Sequence, residues 1–364
     1  SQLGMGSRDL FRMIEWPLLR QILPAVAGLV FMLCFTSFAV VLTLGGGPAR
    51  STIEVAIYQA VRFEFDFDKA VLLALTQIVL CAVLTGLGQL FGRRAPLPDT
   101  AQRPQDRPDL NRWGGRLIDG AVMAAAAGFV LFPLLAVFWN GMTGQMTNVL
   151  ADGALWRSVE LSLMVAICAG GLAVGFGAGL LLLTRELRLR RYRPRAAAAI
   201  EIAASLVLVV SPLVLGTGLF VLLSPFANVL SFGLLLVVVI NAVMALPYVI
   251  RTLGPPMMRL AEQHDRLCAN LGIAGLNRMR LVEWPLLRRP IGTSIALAVA
   301  LAVGDLGVVA LFGTQNSTTL PLLLYQRMAA YQLDAAASTA LVLIALCLGL
   351  FALFERVVGG HGAR

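Results

Sequence analysis

The sequence predicts an all-α protein, a polytopic bundle of about eight transmembrane helices built on a parallel internal repeat. Three observations carry that expectation: apolar runs of membrane length, arginines confined to alternate loops, and a loop, Leu3–Arg20, that recurs as Leu271–Arg288. Hydrophobic residues make up 58% of the 364 residues and charged ones 13%, with mean hydropathy +0.82. A soluble domain is about 45–50% apolar and about 25% charged, so this surface requires a solvent other than water. Crossing about 30 Å of hydrocarbon takes roughly 20 apolar residues at 1.5 Å each.

Runs of that length recur along the chain at Ile22–Leu44, Ala70–Phe91, Leu117–Trp139, Val159–Thr184, Ala196–Leu223, Val229–Ile250, Ile291–Phe312 and Ala335–Phe354. Lipid offers the backbone no hydrogen bonds, so each run must be helical. The basic residues support the same arrangement. With the first residues inside, only Arg50, Arg62, Lys69, Arg157 and Arg327 of the 29 fall outside. Positive charge on one face orients membrane proteins. That bias accounts for the net charge of +9 and removes the case for a nucleic-acid partner. The partner it implies is the lipid bilayer. Cys34, Cys81, Cys168 and Cys347 lie in predicted spans and Cys268 in a loop, without metal-ligand spacing; neither a metal nor a cofactor is expected. The acidic residues Glu54, Glu64, Asp66 and Asp68 read as a solvated outer loop. The glycines Gly171, Gly175 and Gly179 read as a close-packing ladder, with Pro212 and Pro247 governing kinks.

The repeat sets the domain organisation. Glu15-Trp16-Pro17-Leu18-Leu19-Arg20 returns as Glu283-Trp284-Pro285-Leu286-Leu287-Arg288, and Tyr58-Gln59 returns as Tyr325-Gln326. An even number of spans between the loops puts both on one face, a parallel repeat about an axis along the membrane normal. The units expected are 1–93, the end of a first unit, and 113–364, a second unit of six spans, joined by the linker 94–112 rich in Pro, Asp and Arg. On repeat geometry a complete first unit needs roughly 150 further residues and four more spans.

Each loop copy holds a glycine, nine residues, a branched apolar residue, then Glu-Trp-Pro: Gly4 with Glu15, Trp16 and Pro17, and Gly272 with Glu283, Trp284 and Pro285. Glycine permits a sharp reversal, a short helix follows, and the proline is expected to interrupt it before the span. This spacing resembles the cytoplasmic EAA loop of ABC importer permeases, although Arg266-Leu267-Cys268 occupy the Glu-Ala-Ala positions and Trp precedes Pro. That resemblance implies the type I importer fold and a coupling helix that docks on an ATPase subunit. The stretches Phe31–Pro48, Thr52–Ala60, Gly304–Gly313 and Thr319–Gln326 are similar to the thiamine ABC transporter permease family. It implies a bacterial inner-membrane location, cytoplasmic coupling loops, an ATP-binding partner expected as a homodimer, and a periplasmic substrate-binding protein. Ferric-iron permeases share related end segments and are the alternative ligand class.

Lys69 is the only lysine, so the chain has no phosphate-binding Gly-x-x-x-x-Gly-Lys-Ser/Thr loop. ATP hydrolysis is thus expected on another polypeptide, and the chain reads as a transport subunit, not an enzyme. Two polar residues are candidates for the translocation pathway. Asp305 interrupts the seventh run and Asn241 lies in the sixth. Ionisable residues at membrane depth face cavities or partners, yet capping of a helix break at Gly304–Gly307 is the favoured account of Asp305, and bonding across helices that of Asn241. A secondary transporter is the rival class. It calls for charged coupling residues in both repeats, whereas Ser37 stands where Asp305 does.

Overall fold

A computed structural model describes residues 9, 11–45, 51–91, 113–143, 145–189, 191–207, 210–226, 229–273, 275–313 and 317–359. Among them are helices and no strand. In chain order these are α1 (Trp16–Phe35), α2 (Phe38–Leu44), α3 (Ile53–Gln59), α4 (Phe67–Phe91), α5 (Trp113–Thr143), α6 (Met146–Ala151) and α7 (Gly153–Leu189). There follow α8 (Pro194–Leu206), α9 (Pro212–Leu223), α10 (Gly233–Asn270), α11 (Gly275–Arg278), α12 (Trp284–Val303), α13 (Gly307–Phe312), α14 (Leu320–Ala329) and α15 (Leu333–Gly359).

Seven helices among the described residues are long and apolar enough to cross a membrane: Phe11–Phe35, Phe67–Leu84, Arg116–Thr143, Gly153–Leu189, Gly233–Asn270, Gly275–Val303 and Leu333–Val358. The run Ala196–Leu223, expected as a further span, is divided into α8 and α9. Pro212 opens the second piece, six residues past the end of the first. A proline disfavours helical geometry in the residue before it, and Ser211 is extended there, its hydroxyl accepting from Val214 N at 3.2 Å. Hydropathy cannot see that cut, because both pieces are apolar.

The two copies of the repeat fold alike. A five-residue π-helical turn precedes each span, Phe11–Glu15 before α1 and Met279–Glu283 before α12. Both spans begin at the tryptophan and run for 20 residues. A break follows each, at Thr36-Ser37 and at Gly304-Asp305, and then α2, α3 and α4 recur as α13, α14 and α15. The prolines do not interrupt the helix. Pro17 and Pro285 stand just past the wider π turn, near the start of α1 and α12, where the change of hydrogen-bond register accommodates a residue without an N–H.

The chain divides into two compact units, residues 1–37 with 76–139, and residues 38–75 with 140–364. In the first unit, α1 and most of α5 turn their leucines and phenylalanines outward, among them Leu23, Phe31, Phe129 and Phe132. Continuous outward apolar surface of that kind is stable only out of water.

The second unit is packed more closely. One cluster joins Val149, Leu155, Val159, Leu320, Leu323 and Ala335; another joins Leu181, Leu253, Met257, Leu260 and Leu287. The close approach on α7 is made by Gly170 and Gly177. A Cβ on either would lie 2.6 Å from Val299 Cγ2 or Val249 Cγ1. The expected ladder of Gly171, Gly175 and Gly179 faces open space instead; it is the neighbouring stripe of the same helix, one residue round from the contact face. Glu54 also departs from expectation, being buried in α3 while Glu64, Asp66 and Asp68 are exposed. Its helix packs on α9, so this part of the outer loop is a core element. Arg327 is similarly buried, pairing with Asp152 at 2.6 Å and donating to the Thr339 hydroxyl.

Candidate functional site at the repeated loop

The second loop starts where α10 ends. Leu271 N bonds Leu267 O at 3.0 Å and Ile273 N reaches back to Cys268 O at 2.9 Å, closing the last carbonyls of the helix. Gly272 has φ +64° and Gly275 φ +58°, the left-handed region that costs other residues strain. A Cβ at Gly272 would meet nothing within 4 Å. The glycine is thus required by backbone conformation and not by space, and the sharp reversal read from the sequence is present. Gly4, its counterpart, lies outside the described residues.

From Gly275 the helix is continuous to Val303 through the π turn. Glu283, at the end of that turn, is held on the inner side of the loop. Its Oε1 accepts from Arg185 Nη1 at 2.9 Å and from Arg278 Nε at 3.0 Å. Asp265 Oδ1 accepts from the same two arginines, 2.8 Å from Arg185 Nη2, with Arg278 Nη2 also bonded. Trp284 is 50% exposed, and Leu276, Met279, Leu281 and Leu286 are exposed beside it; Pro285 is exposed as well. In the first loop Trp16 is 49% exposed, with Phe11, Met13 and Leu18 outward at matching positions; Pro17 is exposed and Glu15 half-buried. Both loops therefore present a tryptophan among apolar neighbours in the same register. Sequence reasoning found the Glu-Trp-Pro element, but it did not find Arg185 and Asp265, distant in the chain and carrying no local pattern.

The structure brings together the two polar residues singled out in the spans. Asp305 follows α12, and its Oδ1 accepts from Gly307 N at 3.1 Å, so it caps the start of α13. The Asn241 side chain on α10 is buried and faces that carboxyl. Asn241 Nδ2 and Asp305 Oδ2 have no hydrogen-bond partner of good geometry. Among the described residues no group of three His, Cys, Asp or Glu could hold a metal ion.

Comparison with curated proteins shows what the whole chain is similar to. The chain is 42% identical over 361 residues to the thiamine transport system permease protein of Brucella abortus (strain 2308), covering 99% of this chain and 66% of that protein. To the thiamine transport system permease protein of Escherichia coli (strain K12) it is 41% identical over 359 residues, covering 99% and 67%. The chain belongs to the thiamine transport system permease family. The Haemophilus influenzae member is 37% identical, with 97% of this chain covered and 65% of that protein. The chain thus spans about two thirds of the length of these relatives. No family model matches.

Proposed function

We propose that the chain is the membrane-spanning part of an ATP-driven importer of thiamine and its phosphates in a bacterial inner membrane. The observation that carries this is the pair of loops that turn the same apolar side chains outward in the same register, at Trp16 and at Trp284. Exposed tryptophans ringed by leucine and methionine suit a hydrophobic groove on a partner. A helix continuous from the loop into a span carries a push into the membrane without an intervening hinge. In this reading both loops are cytoplasmic and dock on an ATP-binding subunit, one on each copy of a homodimer. A periplasmic substrate-binding protein delivers the ligand to the opposite face. Residues 1–93 close a first permease unit, 94–112 link, and 113–364 form a second.

Thiamine is favoured because the relatives at 37–42% identity are named for thiamine transport; nothing comparable supports ferric iron. A fixed positive charge on the ligand also suits Asp305 and Asn241 as pathway residues. A secondary transporter is disfavoured by the lone Asp305, opposite Ser37 in the first copy. Reconstitution with the ATPase and binding protein in proteoliposomes tests the reading. Labelled thiamine should accumulate only with ATP and both partners, and uptake that persists without the ATPase would overturn it.

A further inference from the structure

The four charges behind the second loop form a closed ring. Asp265 near the end of α10 and Glu283 in the π turn each bridge the same two arginines, Arg185 at the end of α7 and Arg278 in α11. The Arg185, Arg278 and Glu283 side chains are only 12%, 13% and 16% exposed, and Asp265 is 29% exposed. Partly desolvated charges at such depth hold their geometry because leaving any one unpaired is costly. The ring joins three chain segments of the second unit, whereas the backbone connects loop to α10 only through Gly272 and Gly275, both at positive φ.

We propose that Arg185, Asp265, Arg278 and Glu283 are positioning residues that lock the second loop to the ends of α7 and α10, so that loop displacement drives both helices instead of being absorbed at the glycine turn. The inference rests on the coupling role proposed above. The first copy has Leu10 where Arg278 stands. Force delivered at Trp284 reaches the core through Leu287, which packs with Leu181, Leu253, Met257 and Leu260.

The test measures ATP hydrolysis and thiamine uptake together in the reconstituted transporter. Asp265→Asn keeps the side-chain shape and removes one negative charge shared by two arginines. The expected result is a loss of about tenfold in thiamine imported per ATP, with hydrolysis within about twofold of wild type, and recovery in Asp265→Glu. Should Asp265→Asn fail to assemble, Arg278→Lys, which keeps the charge but loses the fork, reads the same ratio. Unchanged import per ATP would overturn the lock. So would hydrolysis and uptake falling together without recovery in Asp265→Glu, which is the mark of a purely structural role. A wild-type transporter with no ATP-dependent uptake overturns the proposed function itself, and the lock with it.

Discussion

The first and second loops share their local chemistry and differ in what stands behind them. Each has the π turn, the tryptophan start, a 20-residue span and an exposed apolar face. Behind the second, Leu287 is 6% exposed in a leucine and methionine cluster, while Leu19 at the matching position is 44% exposed. Behind the second, too, lies the ring of four charges, and Arg278 has only Leu10 as its sequence counterpart. Identical hexapeptides thus begin helices of equal length whose leucines differ, among the described residues, in what covers them. Local sequence sets the shape of the element, and side chains from remote helices set how firmly it is held.

The largest test of this difference is paired truncation of the two leucines. Leu287→Ala empties a packed site and should cost about 2–4 kcal/mol, whereas Leu19→Ala should cost under about 1 kcal/mol. Thermal unfolding of the purified protein reads both, and equal losses would erase the contrast. Next comes Arg278→Leu, which gives the second loop the residue of the first. It leaves Asp265 and Glu283 sharing one arginine and should cost about 1–3 kcal/mol, with protease cleavage near Gly272 accelerated. A variant as resistant as wild type would show the ring to be dispensable for anchoring.

Gly272→Ala tests the turn alone. Forcing an alanine to φ +64° should cost about 1 kcal/mol, visible as a lowered Tm with uptake retained. The smallest stability effect is expected where the loops are most alike. Trp16→Ala and Trp284→Ala should each change stability by under about 0.5 kcal/mol, because both rings are half out in the open, yet each should weaken co-purification of the ATP-binding partner. If only Trp284→Ala did so, the first loop would lose its docking role.

Much of this was legible in the residues. Apolar runs of about 20 residues force helices in lipid, and seven of the eight runs fall on helices of spanning length. Gly272 was readable because only a left-handed turn explains glycine at that point of a reversal, and φ +64° agrees. The division of Ala196–Leu223 was less so, since both pieces are apolar and hydropathy averages over the break between them. The glycine stripe was misplaced for a similar reason. Spacing of four finds a face of α7 but not which face meets α10 and α12, and contact falls on Gly170 and Gly177.

By itself, then, the sequence determined the helical class, the repeat and the Glu-Trp-Pro loops, because each follows from backbone solvation, from residue identity at a fixed offset, or from the conformational limits of glycine and proline. Only the tertiary structure decided that Glu54 and Arg327 are core residues, that Asp305 faces Asn241, and that Glu283 is clamped by Arg185 and Arg278. These depend on pairs up to 175 positions apart, as for Arg327 and Asp152. Burial and charge pairing are set by which helix faces meet, and no local window of sequence contains that information.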